Sequence, residues 1–150
     1  MNRTISKRLI ITGLVALSTV SGMMFLSVTS YAASPKPPKI YSATCTITNV
    51  PATLALGATM KPILTVTNTG TGNLRPYMIT PIATPGTTTY LKEKSVGLVT
   101  PGQSKSVSLG TFTPSSGYAL GDSGILSHSD LNYSGTHVSF DCVTYFTLVQ

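Results

Sequence analysis

The sequence predicts an all-β protein, an immunoglobulin-like antiparallel β-sandwich of about seven to nine strands. From Tyr41 onward, short stretches alternate apolar and polar residues, and each ends in Pro, Gly or Asn. Such alternation with regularly spaced turn residues is typical of sandwiches and barrels. Charged residues make up only 9% of the 150 residues, and no stretch shows the apolar spacing of an amphipathic helix. We therefore expect one domain built from strands.

Residues 1–33 have the pattern of a secretory signal peptide. Arg3, Lys7 and Arg8 precede an apolar run over residues 9–28, and small residues follow up to a cleavage position after Ala32. The run is about 20 residues long, which is enough to span a bilayer, so an uncleaved anchor is the alternative. In both cases we expect residues from 34 onward to be secreted or extracytoplasmic, in the periplasm or at the cell surface. Membrane contact follows only from an uncleaved segment.

A proline-rich linker over residues 34–40 precedes the predicted domain, residues 41–150. The first strand covers residues 41–50 and places on one face Tyr41, Ala43, Cys45 and Ile47. After a brief pairing at residues 53–57, a strand from about residue 60 to Asn68 turns Leu64 and Val66 inward. It ends in Asn68-Thr69-Gly70-Thr71-Gly72, because Asn and Gly tolerate the positive φ that such turns need.

The later strands vary in regularity. Prolines at positions 76, 81 and 85 place a strand at residues 77–82 on a sheet edge or make it irregular. A weak strand at residues 87–91 runs into Lys92-Glu93-Lys94, whose mixed charge is typical of an exposed edge or hairpin. The remaining predictions are a clear strand at 105–112, a loop at 114–124, a short strand within 124–131, a turn at 132–135, and the longest strand at 136–149.

Cys45 and Cys142 are the two cysteines, one in the first predicted strand and one in the last, both on an apolar face. Outside the cytoplasm an even pair is most simply a disulfide. Closing a loop of about 100 residues stabilises by about 4–5 kcal/mol in the chain-entropy model. We expect a Cys45–Cys142 disulfide, and two buried free thiols are the alternative.

A metal site is the second functional hypothesis, from a loose cluster across a predicted hairpin. His128 and Asp130 share one strand face, and His137 approaches from the returning strand, near Asp141. Imidazole and carboxylate groups are ligands for zinc or copper. No pair has a diagnostic ligand spacing, so we predict no resident cofactor. A small secreted metal-binding protein using His128 and His137 is the alternative function.

Catalysis is not expected. Gly121-Asp122-Ser123-Gly124 matches the segment around the nucleophile of chymotrypsin-like proteases, but the only histidines follow Ser123 and the domain is too short for two barrels. A tight turn is the simpler reading. From Ser34 onward the chain has four carboxylates and no phosphate-binding glycine loop. We therefore predict a protein that is not an enzyme.

Charge gives little support for nucleic-acid binding. The formal net charge is +6, but the chain from Ser34 onward has seven cations and four anions, a net +3. The lysines are scattered singly, whereas a nucleic-acid footprint needs a clustered patch. Asn132-Tyr133-Ser134 is an N-glycosylation sequon, which a eukaryotic secretory route would modify.

Two motifs combine a strand with a turn: Val66-Thr67-Asn68-Thr69-Gly70-Thr71-Gly72, and Pro101-Gly102-Gln103-Ser104 before Val107-Ser108-Leu109. They resemble motifs of bacterial immunoglobulin-like domains of the CARDB kind. The resemblance implies a seven-stranded sandwich in a cell-surface or secreted protein, without catalytic residues. The predicted function is a non-catalytic secreted or cell-envelope binding, adhesion or structural module, whose partner is an envelope or extracellular protein or a glycan. We expect its surface in the loops at 114–135 and at the exposed tyrosines Tyr77, Tyr90, Tyr118 and Tyr133.

Overall fold

The computed structural model describes residues 36–133 and 135–150, and the chain from Lys36 to Gln150 forms one compact unit. The predicted signal peptide, residues 1–33, lies outside the described residues. The eight strands are β1 (Ala43–Thr48), β2 (Thr53–Ala55), β3 (Ile63–Asn68), β4 (Tyr77–Thr84), β5 (Thr87–Ser95), β6 (Ser104–Ser108), β7 (Gly121–Tyr133) and β8 (Thr136–Val149). The described ranges contain no helix, so none there is long and apolar enough to cross a membrane.

The strands form two sheets, in the orders β1-β3-β6 and β2-β8-β7-β4-β5. This confirms the predicted immunoglobulin-like β-sandwich and its strand number. One pair departs from the antiparallel pattern, because the three-residue strand β2 runs parallel to the end of β8. The five-stranded sheet is the broader layer and contains the two longest strands, β7 and β8.

The core lies between the two sheets and is formed by the alternate residues that the sequence pattern turns inward. Leu64 and Val66 of β3 are fully buried and pack in the same cluster as Ile82, Ile125 and Phe146 of the opposite sheet. Burying each large aliphatic or aromatic side chain contributes about 1.5–3 kcal/mol. The inward faces predicted for the first strand and for β3 are therefore correct.

The predicted loop and turn around Gly121-Asp122-Ser123-Gly124 are wrong. This segment begins β7, a strand of 13 residues, and pairs with β8 from Gly121 opposite Leu148 to Gly124 opposite Tyr145. The glycines and serines suggested a loop, but Ser123, Ser127 and Ser129 face the core side and are buried. Pairing with the long, apolar β8 overrides the weak strand propensity of these residues.

The strand predicted at residues 77–82 is irregular, as one of the two predicted alternatives required, and it is not on an edge. Observed as β4, it lies between β7 and β5, and β5 is the edge strand. A proline in an interior strand removes one donor from a ladder. The pairing of β4 with β7 skips Thr80 and Pro81, so a break in that ladder accommodates Pro81.

The turn after β3 is organised by the buried side chain of Asn68. Its amide nitrogen donates to the carbonyls of Gly72 (2.7 Å) and Val99 (2.9 Å), and its oxygen accepts from the Gly70 amide (3.0 Å). The segment before β1 lies against this turn. A Cβ atom on Gly70 would stand 2.3 Å from the Ile40 carbonyl oxygen, and a Cβ atom on Gly72 would stand 2.3 Å from the Tyr41 ring. Asn68 and the two glycines are therefore needed for the packing of this region as well as for the turn.

The disulfide joins the two layers. Cys45 in β1 and Cys142 in β8 are bridged, with Cα atoms 5.7 Å apart and a sequence separation of 97. That distance lies within the usual range of about 4.4–6.8 Å. The first and last strands, β1 and β8, belong to different sheets and face each other across the sandwich.

Candidate binding face

The outer face of the five-stranded sheet presents an unusual number of large apolar side chains to solvent. Alternation along the strands turns one side of each strand inward and the other outward. Six large outward side chains are between 38% and 76% exposed: Tyr77 and Ile79 of β4, Tyr90 of β5, Leu126 of β7, and Val143 and Tyr145 of β8. We call this surface, with the polar residues between them, the outer face.

The strand register makes these side chains neighbours. Across the β7–β8 pair, Leu126 lies opposite Val143 and Gly124 opposite Tyr145. Side chains directly opposite on one face have Cβ atoms about 4.5–5.5 Å apart, so they contact each other. On the other side of β7, Ile79 pairs with His128, and β4 then meets Tyr90 through Pro81. The apolar residues therefore extend from β8 across the sheet to β5.

Tyr145 lies beside Gly124, its partner across the β7–β8 pair. A Cβ atom built on Gly124 would stand 3.4 Å from Tyr145 Cδ1 and 3.5 Å from Cε1, which is ordinary van der Waals contact with one edge of the ring. Tyr145 is 76% exposed. Most of its side chain is therefore open to solvent on the outer face.

Two shallow hollows flank Tyr145. One hollow, of about 340 Å³, is lined by Pro85, Asp122 and Tyr145 among others. The other, of about 500 Å³, is lined by Ala52, Asp122 and Tyr145 among others. Asp122 and Tyr145 border both hollows. A larger hollow of about 630 Å³ lies elsewhere, near Asn49 and Lys61, and no aromatic ring lines it.

Four carboxylates of the described chain accompany the outer face, and each has a side-chain partner. His128 Nδ1 lies 2.6 Å from Asp141 Oδ1, and His137 Nε2 contacts Asp130. The Tyr77 hydroxyl donates to Glu93, and this hydrogen bond to the carboxylate raises the pKa of the Tyr77 phenol, with smaller contributions from desolvation and the Glu93 charge.

The partner of the fourth carboxylate, Asp122, is a neutral hydroxyl, as it is for Glu93. Its Oδ1 accepts a hydrogen bond from Thr147 Oγ1 at 3.1 Å. Asp122 and Thr147 are opposite residues in the β7–β8 pair, so both lie on the outer face beside Tyr145. No cation lines either hollow next to Asp122.

The candidate metal residues form two separate pairs. His128 contacts Asp141, and His137 contacts Asp130. Within residues 36–133 and 135–150, no group of three His, Cys, Asp or Glu side chains is placed to hold a metal ion. In this part of the chain, the four candidate ligands therefore form two separate pairs and do not form one cluster that could hold a metal ion.

Ser123 does not meet a histidine. Its side chain faces the core, is 4% exposed, and donates to the Gly121 carbonyl at 3.2 Å. His128 projects from the opposite side of the same strand, where it contacts Asp141. The Ser-His contact that activates a serine nucleophile is not formed by this pair.

Two of the four predicted surface tyrosines are structural. Tyr118 packs edge-on against Phe112, with its hydroxyl 2.8 Å from Thr89 Oγ1. Tyr133 stacks on Tyr41 at 4.8 Å between ring centroids, and its hydroxyl accepts from the Arg75 amide. Tyr77 and Tyr90 are on the outer face as expected. Tyr145 was not among the predicted surface tyrosines, although apolar residues at outward positions of β8 (Val143 and Tyr145) were a signal for it.

Solved structures with this arrangement of strands belong to several kinds of protein. The CARDB domain of PF1109 from Pyrococcus furiosus is 18% identical with a TM-score of 0.50, and the match covers 75% of this chain and 98% of that domain. The fold is CARDB-like. No family model and no curated protein matches the sequence.

Other proteins contain the same sandwich as one part of a longer chain. A β-glucosidase from Erythrobacter marinus matches with a TM-score of 0.55 and 18% identity, over 73% of this chain but 16% of the enzyme. The sporulation control protein Spo0M from Bacillus subtilis matches with a TM-score of 0.52 and 12% identity, over 73% of this chain and 50% of Spo0M. At such identities the likeness shows a CARDB-like fold alone.

Proposed function

We propose that this protein is a non-catalytic, extracytoplasmic binding module and that the outer face is its binding surface. The observation that carries the proposal is the continuous row of exposed Tyr, Ile, Leu and Val side chains on one side of the five-stranded sheet. Large exposed apolar patches on soluble domains mark interaction sites, and tyrosines are enriched at binding hot spots. The signal-peptide pattern and the disulfide support a location outside the cytoplasm.

The opposite surface of the sandwich differs in character. The outward residues of the three-stranded sheet are mostly Thr and Ser, and hydroxyl pairs on it hydrogen-bond to each other, as in Thr65 with Ser106 and Thr67 with Ser104. Small hydroxyl side chains bury little apolar area on contact, so this surface has less to gain from a partner. The exposed apolar side chains therefore favour the outer face as the binding surface.

Absence of catalysis is part of the proposal. The carboxylates on the outer face are engaged with histidine, tyrosine or threonine side chains, and Ser123 is turned to the core. This arrangement offers aromatic contact area and hydrogen-bonding groups, but no nucleophile next to a base. An adhesion or scaffolding role at the cell envelope fits these groups.

The experiment is co-sedimentation of the purified protein with an insoluble cell-envelope preparation. A variant carrying Tyr77→Ser, Tyr90→Ser and Tyr145→Ser should lose at least about tenfold in apparent affinity, equivalent to about 1.4 kcal/mol. The matched control is Thr44→Ala with Thr46→Ala, two exposed residues on the three-stranded sheet, which should sediment like the wild type. Equal sedimentation of the tyrosine variant and the wild type would exclude the outer face as the binding surface.

A further inference from the structure

We propose that the partner of the outer face is a basic segment of a polypeptide, in which Lys or Arg side chains stand at both ends of an apolar stretch. This inference rests on the proposed function, since it names the partner class of the same surface. Three features of the molecule point to it. They are the placement of every acidic side chain, the neutral partners of those side chains, and the apolar side chains that lie between them.

The acidic side chains are confined to one face. Residues 106–150 contain three aspartates, two histidines and no Lys or Arg, whereas the seven cations that follow Ser34 all lie before this range. The three aspartates occupy exposed, outward positions of β7 and β8, which are neighbours inside the five-stranded sheet. Glu93 joins the same face through its contact with the Tyr77 hydroxyl. The outer face therefore holds all four carboxylate side chains of a domain whose seven cations and four anions give a net charge of +3.

The negative charges are not compensated within the described chain. Across residues 36–133 and 135–150, the ion pairs of the carboxylates involve histidine, and none involves Lys or Arg. The other two partners are the hydroxyl groups of Tyr77 and Thr147. Because a hydroxyl is neutral and imidazole is formally neutral at pH 7, each carboxylate keeps its charge. A carboxylate accepts about four hydrogen bonds, so each one has further capacity for an incoming ammonium or guanidinium group.

The apolar side chains of the β7–β8 pair lie between acidic ones. At the centre, Leu126 stands opposite Val143, and both side chains are exposed. Asp122 lies four residues before Leu126 on the same strand, and Asp130 lies four residues after it. Residues eight positions apart in a strand are separated by about 26–27 Å. An extended segment of about eight residues therefore reaches from one carboxylate to the other while its middle covers the apolar centre.

Charge complementarity selects the class of partner. A second copy that used the same face in a twofold dimer would place carboxylates against carboxylates, and an anionic polymer would be repelled. A neutral glycan would partly desolvate the carboxylates and provide no opposite charge. A basic peptide supplies apolar side chains for the centre and cations for the carboxylates. Its Lys or Arg groups can also lie over the exposed rings of Tyr77, Tyr90 and Tyr145.

The test is an NMR titration of the purified protein with two synthetic peptides of equal length. Both peptides have the same leucine-rich centre, and their ends carry Lys in one peptide and Glu in the other. We expect the Lys peptide to shift the amide signals of Asp122, Leu126, Asp130 and Val143. It should bind at least about tenfold more tightly than the Glu peptide, and the difference should shrink as added salt screens the charges.

Two variants separate the position of the carboxylates from the net charge of the molecule. Asp122→Asn/Asp130→Asn removes two outer-face charges, conserves side-chain size, and should weaken binding of the Lys peptide by at least about threefold. Thr44→Lys/Thr46→Lys raises the net charge by the same amount at two exposed positions of the three-stranded sheet, and it should bind the Lys peptide as the wild type does. The amide dispersion of each variant verifies that it is folded.

Three results would overturn the inference. Equal affinity for the Lys and Glu peptides would show that the carboxylates do not select the partner. Equal weakening in the two variants would assign the effect to net charge alone. Shifts at the same amides with a neutral glucan oligomer, and none with either peptide, would assign the face to a glycan. In each case the proposed function stands if the tyrosine variant fails to sediment with the envelope preparation, because that experiment does not depend on the charge of the partner.

Discussion

A single polar side chain in the core, that of Asn68, holds three separate backbone segments together. Its three hydrogen bonds connect the end of β3, the turn at Gly70 and Gly72, and the strand-like segment at Val99. A buried polar group is tolerated only when its hydrogen bonds are complete, because an unpaired one costs about 1–3 kcal/mol. The turn could be predicted from its Asn and Gly residues, but burial of the amide depends on contacts about 30 residues away, which local patterns do not report.

Substitution of Asn68 tests this role. We expect Asn68→Ala to lower the free energy of unfolding by about 2–4 kcal/mol, since two carbonyls and one amide lose their partner. Asn68→Asp should cost more, because a carboxylate would then face the carbonyls of Gly72 and Val99. Urea unfolding measures both, and Asn73→Ala, an exposed neighbour, is the control. Loss below 0.5 kcal/mol, about the level of ordinary surface substitutions, would contradict the assignment.

The Tyr77–Glu93 contact makes a prediction at alkaline pH. Because the hydrogen bond to Glu93 raises the pKa of the Tyr77 phenol above its ordinary value of 10.0, the folded protein holds this proton more tightly than the unfolded chain. The stabilisation is therefore present below pH 10 and is lost as pH rises through the folded-state pKa. Glu93→Gln should bring the pKa back toward 10, as followed by phenolate absorbance, with Tyr77→Phe identifying which titration step belongs to Tyr77.

At the scale of elements, the sequence pattern located β1, β3, β4, β6 and β8, but it did not predict the interior position of β4 or the full length of β7. Both differences have one physical origin, since strand position and length in this sheet are decided by the partner strands. Prolines flank and interrupt β4, and glycines and serines fill β7, so local propensity argues against an interior position for either. Pairing with the 14-residue strand β8 and with the edge strand β5 supplies the missing stabilisation. For the same reason the sequence did not predict the exposed position of Tyr145, which depends on the register that pairs it with Gly124.

The edge strand β5 is protected by charge. Lys92, Glu93 and Lys94 interrupt an otherwise threonine-rich strand whose unpaired side faces solvent, and the register with β4 shifts between Met78 and Thr80 beside them. Charged residues and bulges are devices that block edge-to-edge association of sheets. The prediction of an exposed charged edge from Lys92-Glu93-Lys94 is thus correct.

Removing these charges should promote association. A Lys92→Thr/Lys94→Thr variant is expected to form concentration-dependent oligomers, because a flat, uncharged edge can pair with a second copy. Light scattering at increasing protein concentration measures this, and Lys39→Thr/Lys61→Thr, two exposed lysines outside the strands, controls for the change in net charge. If both variants remain monomeric over the same range, the charges at β5 have no protective role.

For the whole molecule, the Cys45–Cys142 disulfide is a covalent cross-link between the two sheets in addition to the backbone. It closes a loop between positions 97 apart in sequence, which in the chain-entropy model corresponds to about 4–5 kcal/mol. The cysteine pairing was predictable from the sequence because two cysteines lay on apolar strand faces in a chain with a secretory pattern. The connection between opposite layers was not, since the sequence does not say which sheet receives each strand.

Loss of the bridge should therefore destabilise the protein substantially. A Cys45→Ala/Cys142→Ala variant is expected to lose about 4–5 kcal/mol of unfolding free energy. Wild-type protein unfolded under reducing conditions should show a loss of similar size, whereas the variant should be insensitive to the reductant. Detection of two free thiols in the non-reduced wild type would contradict the bridge.

The position of the bridge also decides how the protein would respond to mechanical tension. Force applied at the two ends of residues 36–150 would pass through Cys45 and Cys142, and the loop between them would stay unloaded until the bond is reduced and about 330–350 Å of chain is released. Only the segments before Cys45 and after Cys142 can peel. Tyr145 lies in the second of these and Asp122 lies inside the shielded loop. Detachment of the segment after Cys142 would therefore separate Tyr145 from Asp122, and it would also withdraw Phe146 and Leu148 from the core.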